Sequence, residues 1–377
     1  MSWPLVKLGD VAPAKPSKNA FSKSEEVWTL NLDQVEADTG KVLGKIMAPV
    51  SEAGTSTHGF DERHVLYSKL RPYLNKVVLP DGRGLATTEL VPMLPDPSRL
   101  DRKYLAYYLR SKSFVDWVSS QVAGAKMPRV SMQLFWQHEI PLPPLPEQKR
   151  IAAILDKADA IRSKRQQAIQ LADNFLRAVF LDMFGDPVTN PKGWPTMRVD
   201  ELCTIVRGSS PRPQGDPRFY GGPVPRLMVA DLTRDGKVVT PMIDSLTTEG
   251  AKKSRPIEAG TVVMAVSGNV GLTSVLAIDA CIHDGFIAFK ELDVNKVKPA
   301  FLCELMMFLK STHASRQAGA IFQNLTTSQI KEMEIPIPPL ALQDKFLSIS
   351  RKATELYGEE DFSLFESLSQ RAFSGQL

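Results

Sequence analysis

The residues that most often carry metal or nucleophile chemistry are scattered along this chain of 377 residues. The five histidines and three cysteines form no CxxC pair and show no metal-ligand spacing: His58, His64, His138, His283, His313, Cys203, Cys281 and Cys303. An odd number of separated cysteines argues against both a disulfide framework and a zinc site. We therefore expect the histidines to be structural or surface residues, and we expect no bound metal.

Clustered carboxylates with a nearby lysine would suit metal-assisted hydrolysis, but the chain offers only weak candidates. Glu147 and Lys149 form an ExK triplet that is better explained as the first turn of a helix. Asp231 stands alone in VADLTRDG, where a capping or turn residue is expected. The motifs GxxxxGK[ST], GxGxxG, HExxH, the EF-hand loop and the adenine-methyltransferase tetrapeptide [DNS]PP[YFW] do not occur. The sequence therefore predicts no catalytic residue.

The clearest pattern is a proline-rich segment that occurs twice. It reads EIPLPPLPEQ at 139–148 and EIPIPPLALQ at 334–343, and a Trp-Pro pair opens the region before each copy, at Trp3 and Trp194. Prolines fix the backbone and cannot continue into a strand or helix interior, so each segment should form a stiff exit from a globular domain. The pattern predicts a tandem duplication, with repeats far longer than those of a solenoid.

A long helix is predicted after the first proline segment. Residues 147–184 contain no proline or glycine, Pro146 precedes them and Gly185 follows. At 1.5 Å per residue this helix would be roughly 55 Å long. Apolar residues recur every three or four positions and predict a heptad-like packing stripe. The stripe comprises Ile151, Ile154, Ala158, Ile161, Ala168, Ala172, Phe175 and Val179.

A second helix is expected from about Gln343 to Phe373, and the sequence leaves open whether it continues through Gly358. Because each copy ends in its own helix, two-fold pseudo-symmetry predicts that the helices pack antiparallel as a coiled coil. The predicted segments are a first globular domain at 1–145, a helix at 146–185, a second globular domain at 186–340 and a helix at 341–377.

The globular domains are predicted to be rich in strands. Residues 65–79 and 261–278 form β-like runs split by turns, and residues 102–122 and 300–317 have helical spacing. Both domains thus share a strand-then-helix order, which supports the duplication. The predicted fold class is α+β, with two pseudo-symmetric, strand-rich domains separated by two long antiparallel helices.

Composition limits the class of protein more weakly. The net charge is +4 and the isoelectric point is near 8.8, which is only mildly basic. A DNA-binding protein can have this charge if its basic residues gather on one face. The sequence has no apolar run of about 18 residues and its first residues do not look like a signal peptide, so we expect a cytoplasmic protein without a membrane span.

Several segments together resemble the specificity subunit of Type I restriction–modification systems. They are IPLPPLPEQKRIAAILDKAD, IPIPPLALQ, RGSSPRPQGDPRFYGG, YSKLRPYLNK and the terminal RAFSGQL. The resemblance covers essentially the whole chain, including its two-copy layout. It implies a non-catalytic subunit in which each globular unit is a target recognition domain for one half of a split, asymmetric site in double-stranded DNA. It also implies that the helices set the length of the spacer between the half-sites.

The same resemblance implies partners. Two modification subunits, which carry S-adenosylmethionine and methylate an adenine in each half-site, would dock on this chain. Restriction subunits driven by ATP, with magnesium, would join that complex. No cofactor is expected on the chain itself.

Candidate DNA contacts follow from the residue types that suit base edges and phosphates, namely Arg, Lys, Asn, Gln and Ser on loops. Ser209, Ser210 and Arg212 lie in a loop rich in Gly and Pro, where side chains can be directed into a groove. In the first domain the candidates are Lys15, Lys18, Asn19, Lys69, Arg71, Tyr73, Asn75, Lys76, Lys126 and Arg129. In the second they are Arg207, Ser209, Ser210, Arg212, Gln214, Arg218, Tyr220, Lys252, Lys253, Arg255, Ser267, Asn269, Gln323 and Asn324.

Two other classes of function remain open on the residues alone. One is an enzyme, a DNA methyltransferase or nuclease, although the missing motifs count against it. The other is a coiled-coil scaffold that does not read DNA, for which two large divergent domains are unnecessary. A methyl-transfer assay on the chain alone tests the first, and a salt-dependent DNA-binding assay tests the second.

Overall fold

The computed structural model describes residues 3–18, 21–54, 56–123, 127–315, 326–357 and 362–377. Its contacts divide the chain into a first unit, Met1–Gln167 with Glu359–Leu377, and a second unit, Ala168–Gly358. The division assigns part of each predicted helical segment to each unit.

The first unit combines short strands with helices. Its strands are β1 (Leu5–Lys7), β2 (Glu26–Leu30), β3 (Ile46–Pro49), β4 (Thr57–Phe60), β5 (Val65–Ser68), β6 (Val77–Val78), β7 (Gly84–Thr87), β8 (Leu90–Met93), β9 (Val122–Ala123), β10 (Arg129–Val130) and β11 (Glu139–Pro141). Its helices before the long one are α1 (Leu8–Val11), α2 (Arg102–Arg110), α3 (Lys112–Ser120) and α4 (Met132–Gln137), with 3-10 turns at Leu32–Gln34, Val50–Glu52 and Pro72–Leu74. The long helix α5 (Leu145–Phe184) begins in this unit.

The second unit has a similar composition of elements. Its strands are β12 (Thr196–Arg198), β13 (Thr204–Arg207), β14 (Tyr220–Leu227), β15 (Val238–Val239), β16 (Asp244–Leu246), β17 (Arg255–Ile257), β18 (Val262–Ala265), β19 (Thr273–Leu276), β20 (Ala280–Ile282), β21 (Phe286–Lys290) and β22 (Glu334–Pro336). Its helices are α6 (Val199–Leu202), α7 (Val229–Asp235), α8 (Thr248–Lys252), α9 (Pro299–Ser315), α10 (Thr327–Glu332) and α11 (Leu340–Tyr357). Helix α12 (Phe362–Phe373) belongs to the first unit.

Both units contain a four-stranded sheet with one pairing pattern. The strand order is β3-β2-β7-β4 in the first unit and β16-β14-β20-β17 in the second. In each sheet the two central strands are parallel and both edge strands are antiparallel to their neighbours. The duplication predicted from the proline segments therefore extends to the strand pairing, and the α+β fold class is confirmed.

A second sheet in each unit also repeats, with additions. The antiparallel order β6-β5-β8 of the first unit matches β19-β18-β21, which forms the centre of a five-stranded sheet in the second. The second unit adds β13 and β15 at its edges. Where β13 pairs with β21, the described residues of the first unit form an isolated bridge between Ala14 and Met93. The units have therefore diverged at the segment that precedes their main sheets.

A short ribbon closes the base of each globular domain. Strands β1 and β11 pair antiparallel, as do β12 and β22, so the first and last strands of each domain meet. The ribbons extend into the proline segments, because Leu142 N donates to Pro4 O at 2.8 Å and Ile337 N donates to Pro195 O at 2.8 Å. The Trp-Pro pairs and the proline segments, distant in sequence, are thus neighbours in the fold.

A buried glutamine joins the start of α5 to the first globular domain. The Gln148 side chain is fully buried. Its Oε1 accepts a hydrogen bond from Asp101 N at 2.7 Å, and its Nε2 donates to Arg99 O at 2.8 Å and Pro143 O at 2.7 Å. The amide satisfies backbone groups on both sides of the helix start and so fixes its direction.

Gln343 repeats this arrangement at the start of α11. It too is fully buried. Its Oε1 accepts from Lys298 N at 3.0 Å, and its Nε2 donates to Lys296 O at 2.8 Å and Pro338 O at 2.9 Å. The glutamine that ends each repeated segment is therefore a structural residue in both units.

In the first unit, α12 packs antiparallel to the first half of α5. Near the start of α5, Arg150 Nη2 donates to Leu377 O at 3.0 Å, beyond the end of α12. Further along α5, the Arg162 guanidinium lies 4.6 Å from the ring centre of Phe365, near the start of α12.

In the second unit, α11 packs antiparallel to the second half of α5. Phe180 and Phe184, close to the end of α5, contact Phe346, close to the start of α11, with ring centres 5.4 and 5.7 Å apart. Phe301 of α9 completes this aromatic cluster. Within each unit the helices thus have the predicted antiparallel direction.

The packing stripe on α5 differs in part from the predicted one. Ile151 and Ala158 are buried as predicted, but Ile161 and Phe175 are 48% and 54% exposed. An α-helix has 3.6 residues per turn, so a heptad stripe drifts around a straight helix and individual predicted positions leave the interface. The buried apolar positions that the prediction missed are Ala152, Leu155, Leu176, Phe180 and Phe184. The remaining predicted positions are half-buried: Ile154, Ala168, Ala172 and Val179.

Glycine ends α5 as predicted. Gly185 has φ +77°, and its N–H donates to Leu181 O at 2.9 Å. A Cβ at this position would lie 2.7 Å from Pro191 Cγ, so glycine is needed for both conformation and space. Gly358 and the other residues between α11 and α12, 358–361, lie outside the described residues. The predicted continuity of the second helix is therefore not tested. In the part of the chain that the structure describes, no helix is long and apolar enough to cross a membrane.

Candidate nucleic-acid interface

Three separate segments of the first unit meet at one polar surface, which we call the first-unit patch: Lys69, Arg71, Tyr73, Glu89 and Arg129. The loop after β5 contacts the turn between β7 and β8 through Lys69 N, which donates to Glu89 O at 3.0 Å. The same loop contacts the β10 segment, because Arg71 N donates to Pro128 O at 2.8 Å and Val130 N donates to Lys69 O at 3.1 Å. Four residues predicted to bind DNA are thus brought together.

The charges of the first-unit patch include one close ion pair. Arg129 Nε lies 3.2 Å from both Glu89 carboxylate oxygens, and Arg129 Nη2 lies 3.0 Å from Glu89 Oε1. The hydrogen bond to Glu89 raises the pKa of Arg129 above its usual value. Arg71 is exposed with φ +48°, and Tyr73 is 49% exposed. The patch offers guanidinium and ammonium donors together with an aromatic ring, a combination suited to phosphate and base contacts.

Two predicted contacts of the first unit have structural roles instead. Asn75 is buried and its Nδ2 donates to Arg110 O at 3.1 Å. It has φ +49°, a left-handed conformation that asparagine tolerates better than most residues. The backbone of the turn therefore accounts for an asparagine at this position. The Lys76 ammonium donates to Leu32 O at 2.7 Å.

Lys15 and Lys18 are exposed on the segment that precedes β2. Their segment runs beside the sheets, since Lys15 N donates to Pro92 O at 3.0 Å and Ser17 N donates to Gly59 O at 2.8 Å. Asn19 and Lys126 lie outside the described residues.

The second unit has a comparable surface, which we call the second-unit patch: Arg207, Ser209, Ser210, Arg212, Arg255 and Asp284. The loop after β13 lies against the turn between β20 and β21, because Gly208 N donates to Phe286 O at 2.9 Å and Ser209 N to Ile282 O at 3.1 Å. A Cβ at Gly208 would lie 2.1 Å from His283 O, so only glycine permits this close approach. Arg255 Nε donates to Arg207 O at 3.3 Å and joins β17 to the surface.

Two residues that sequence reasoning missed, Asp284 and Arg226, hold the second-unit patch together. Ser210 Oγ donates to Asp284 Oδ1 at 2.6 Å and accepts from Arg226 Nη2 at 3.1 Å. Arg226 is buried, forms an ion pair with Asp244, and its guanidinium carbon lies 5.3 Å from the ring centre of Tyr220. The Ser210 hydrogen bond is the main cause that lowers the pKa of Asp284.

Asp284 could have been noticed from its His-Asp-Gly turn, whereas nothing in the local sequence distinguishes Arg226. The exposed Arg212 stands 3.8 Å from Asp284 Oδ2 through its Nη2. Arg212 therefore belongs to the patch without being tightly held.

The other predicted residues of the second unit fall into three situations. Arg218 is paired with Asp216 at 2.7 Å, and the Lys253 ammonium lies 4.1 Å from the ring centre of Phe219. Asn269 accepts a hydrogen bond from Lys310. The remaining described members are exposed on loops or at a helix end: Gln214, Lys252 and Ser267. Gln323 and Asn324 lie outside the described residues.

The two patches share one matching turn of the repeated sheets. Lys69 N donates to Glu89 O in the first unit, and Val266 N donates to Gly285 O at 2.8 Å in the second. These bonds join the end of β5 to the β7–β8 turn and the end of β18 to the β20–β21 turn, which are matching positions in the repeated sheets. Each patch therefore lies beside the same turn, but its other residues come from different elements: the β5 loop and β10 in the first unit, and the β13 loop and β17 in the second.

The weak catalytic candidates have structural partners. Asp231 is fully buried at the start of α7, where it accepts hydrogen bonds from Met228 N at 2.9 Å and Met242 N at 3.1 Å. Its expected capping role is confirmed. Glu147 lies in the first turn of α5 and pairs with Arg150 at 2.7 Å, which lowers the pKa of its carboxyl group. Among the described residues, no group of three or more His, Cys, Asp or Glu is arranged to hold a metal ion.

Comparison with known families identifies the repeated unit. A family model described as "Type I restriction modification DNA specificity domain" matches residues 2–171 and 191–352. These two matches coincide with the two copies found in the strand pairing.

Individual relatives are distant in sequence. The Type I restriction enzyme EcoDI specificity subunit of Escherichia coli is 26% identical over 192 residues, which cover 50% of this chain and 43% of that relative. This match spans less than half of the relative's length. The Type I restriction enzyme MjaIX specificity subunit of Methanocaldococcus jannaschii is 22% identical over 384 residues, covering 92% of this chain and 85% of the relative.

Solved structures share the fold over nearly the whole chain. The S subunit of the Type I restriction–modification system of M. genitalium has a TM-score of 0.56 and 16% identity, covering 99% of this chain and 96% of that one. A chain from a study of assembly and conformational transition of the type I R-M system has a TM-score of 0.52 and 20% identity, covering 100% of this chain and 98% of that one.

Proposed function

The chain belongs to the Type I restriction–modification DNA specificity domain family, and on that premise we propose that it reads a bipartite DNA site. Each globular unit would act as the target recognition domain for one half-site. The observation that supports this most directly is the pair of polar patches, one in each unit, each beside the matching turn of the repeated sheets. A single chain that presents two such surfaces suits a target made of two separated parts.

We propose further that the two half-sites differ in sequence. The first-unit patch presents Lys69, Arg71 and Arg129, whereas the second-unit patch presents Ser210, Arg212 and Arg255. Bases are read by hydrogen bonds and apolar contacts to their edges, so patches with different side chains select different bases. The site would therefore be asymmetric.

The long helices would set the spacing between the half-sites. Helix α5 has 40 residues, and at 1.5 Å per residue it is about 60 Å long. Half-sites about one turn of DNA apart, roughly 34 Å, present the same face of the duplex. A helix of this length can span that distance with residues left at both ends for packing.

The chain would direct catalysis rather than perform it. In this proposal two modification subunits bind it and carry S-adenosylmethionine for adenine methylation in each half-site. Restriction subunits, with ATP and magnesium, would complete the assembly. The target would be double-stranded DNA, and we propose that the protein acts in the cytoplasm.

The experiment that tests the proposal is a methylation map. The full chain is co-expressed with the modification subunit encoded beside its gene, and N6-methyladenine is mapped across the host genome. The expected result is one split motif with two unlike half-sites and a fixed gap.

The matched control is the modification subunit expressed without this chain, which should leave that motif unmethylated. A complex that assembles but methylates no defined motif would contradict DNA reading and favour the scaffold. Methyl transfer by the chain alone would favour the enzyme.

A further inference from the structure

The first-unit patch contains a carboxylate, Glu89, among its basic side chains. A negative charge is not expected at a surface that contacts DNA phosphates. Glu89 stands in the turn between β7 and β8, at the place where this turn meets Lys69 and β10. Its side chain is 23% exposed and that of its partner Arg129 is 44% exposed. Both groups therefore reach the surface of the patch.

The geometry of the pair orients the guanidinium. Glu89 contacts the Nε and Nη2 atoms of Arg129 at 3.0 to 3.2 Å. Among the described residues, Nη1 makes one long contact, 3.4 Å, to Met127 O. One edge of the planar guanidinium is thus held, and the edge formed by Nη1 and Nη2 retains N–H groups that Glu89 does not use. Two parallel donors on such an edge match the O6 and N7 acceptors of guanine.

Stability alone explains the pair poorly. Exposed ion pairs contribute little to folding free energy. A negative charge near DNA also repels phosphates and weakens non-specific binding. A carboxylate at this place is useful if orientation of the arginine outweighs that repulsion.

We propose that Glu89 is a positioning residue that holds Arg129 as a fork for a guanine in the first half-site. This inference rests on the proposed function and assigns roles within the first-unit patch. Arg129 would read the base. Lys69 and Arg71 would contact phosphates, because neither has a carboxylate partner that fixes its direction among the contacts of the described residues.

The second unit has a counterpart at the matching turn. Asp284 is held by Ser210 at 2.6 Å and stands 3.8 Å from Arg212. Each patch thus contains a turn carboxylate next to an arginine. The closer contacts at Glu89 make the first unit the better place for a test.

The test uses the full chain purified with its modification subunit. Glu89→Gln removes the charge and keeps the size of the side chain, and Arg129→Lys keeps the charge but removes the planar fork. Glu25→Gln is the matched control, because Glu25 pairs with Arg83 at 3.1 Å just before β2. The parallel pairing of β2 with β7 places Glu25 at the opposite end of the sheet from Glu89.

DNA affinity is measured at several salt concentrations, for duplexes that contain the motif found in the methylation map and for unrelated duplexes. For Glu89→Gln we expect discrimination at one base pair of the first half-site to fall by about 5- to 150-fold. Affinity for unrelated DNA should stay equal or rise, and its salt dependence should steepen by up to about 0.9 in log–log slope. Arg129→Lys should lose the same discrimination and keep the affinity for unrelated DNA, and Glu25→Gln should match the wild type.

Opposite changes in specific and non-specific binding separate positioning from a purely structural role. If Glu89→Gln weakened both kinds of binding equally, or changed neither, the positioning role would be wrong. Thermal unfolding of each variant shows whether the unit remains folded, and Arg129→Lys gives a second measurement if Glu89→Gln does not fold. A wild-type complex without sequence preference would instead contradict the proposed function itself.

Discussion

Gln148 illustrates what one buried side chain can do at the start of a long helix. It satisfies backbone groups of Arg99, Asp101 and Pro143 at the same time. Asp101 is also the N-cap of α2, where its side chain accepts from Lys103 N and Tyr104 N. A single amide therefore ties two helix starts to the proline segment.

Replacing Gln148 with Ala should lower the free energy of unfolding of the first unit by about 2–4 kcal/mol, because several buried backbone groups lose their partners. The control is Gln166→Ala, at an exposed position of the same helix, which should change stability by less than about 0.5 kcal/mol. Urea unfolding followed by circular dichroism measures both. Equal effects of the two substitutions would contradict the role assigned to Gln148.

His138 predicts a pH dependence. It is packed against Trp117 with ring centres 3.9 Å apart, and its Nε2 lies 2.8 Å from the Tyr108 hydroxyl. Burial lowers its pKa to about 4. Above its unfolded pKa of about 6.5 the ring is neutral in both states, so the contribution to stability is complete.

As pH falls from about 6.5 towards 4, the unfolded state binds a proton that the folded state does not. The first unit should therefore lose stability over this range, by about 1–2 kcal/mol because the ring is only partly buried, and lose no more from this group at lower pH. His138→Gln should flatten this part of the profile, measured as the difference from the wild type. An unchanged slope would show that other groups cause it.

Under the proposed function, Arg212 is expected to contact DNA, since it is exposed and only loosely paired with Asp284. Arg212→Ala should reduce methylation at sites that match the second half-site by about 5- to 150-fold. Arg198→Ala is the control, since Arg198 is an exposed arginine of the same unit at the base ribbon. Unchanged methylation in Arg212→Ala would remove this residue from the interface.

At the scale of elements, the apolar residues of α5 differ in how far they are buried. Phe180 is 2% exposed and contacts Phe346 and Phe308 with ring centres 5.4 and 4.5 Å apart. Phe175, five residues earlier on the same helix, is 54% exposed. The two phenylalanines lie on the same helix and differ only in burial, so they form a matched pair for substitution.

Phe180→Ala should destabilise the second unit by about 3–5 kcal/mol, because it removes a buried ring and leaves a cavity. Phe175→Ala should cost less than about 1 kcal/mol, as expected for an exposed position. Urea unfolding of the two variants compares them directly. A larger loss for Phe175 would mean that the heptad stripe predicted from sequence describes the packing better.

At the scale of the whole molecule, each globular domain is closed by its own base ribbon. The Pro4–Leu142 hydrogen bond and the pairing of β1 with β11 bring its ends together before α5 begins. Such a domain has the boundaries of an exchangeable module, because few backbone bonds need to be broken at its ends.

Exchange of residues 1–145 for the corresponding domain of a relative with a different known target should change one half of the methylated motif. The other half and the gap should stay the same, since the second unit and α5 are unaltered. A methylation map of the co-expressed hybrid measures this. A change in both halves would contradict the assignment of one unit to each half-site.

The sequence by itself determined the duplication, the α+β class and the position of α5. These depend on local signals: prolines restrict φ, glycine permits the left-handed end at Gly185, and apolar periodicity follows the helix. The repeated glutamines at 148 and 343 were visible as part of the pattern, although their hydrogen bonds were not.

The tertiary structure decided which polar residues share a surface. Arg129 meets Lys69 and Glu89 because the β10 segment is hydrogen-bonded to the loop that follows β5. Asn75, a few residues further along that loop, is buried and donates to Arg110 O. Ser210 likewise meets Asp284 and Arg226 through contacts between strands far apart in sequence. Such neighbours depend on non-local strand pairing, which residue type and spacing do not encode, and so the composition of each patch could be known only from the fold.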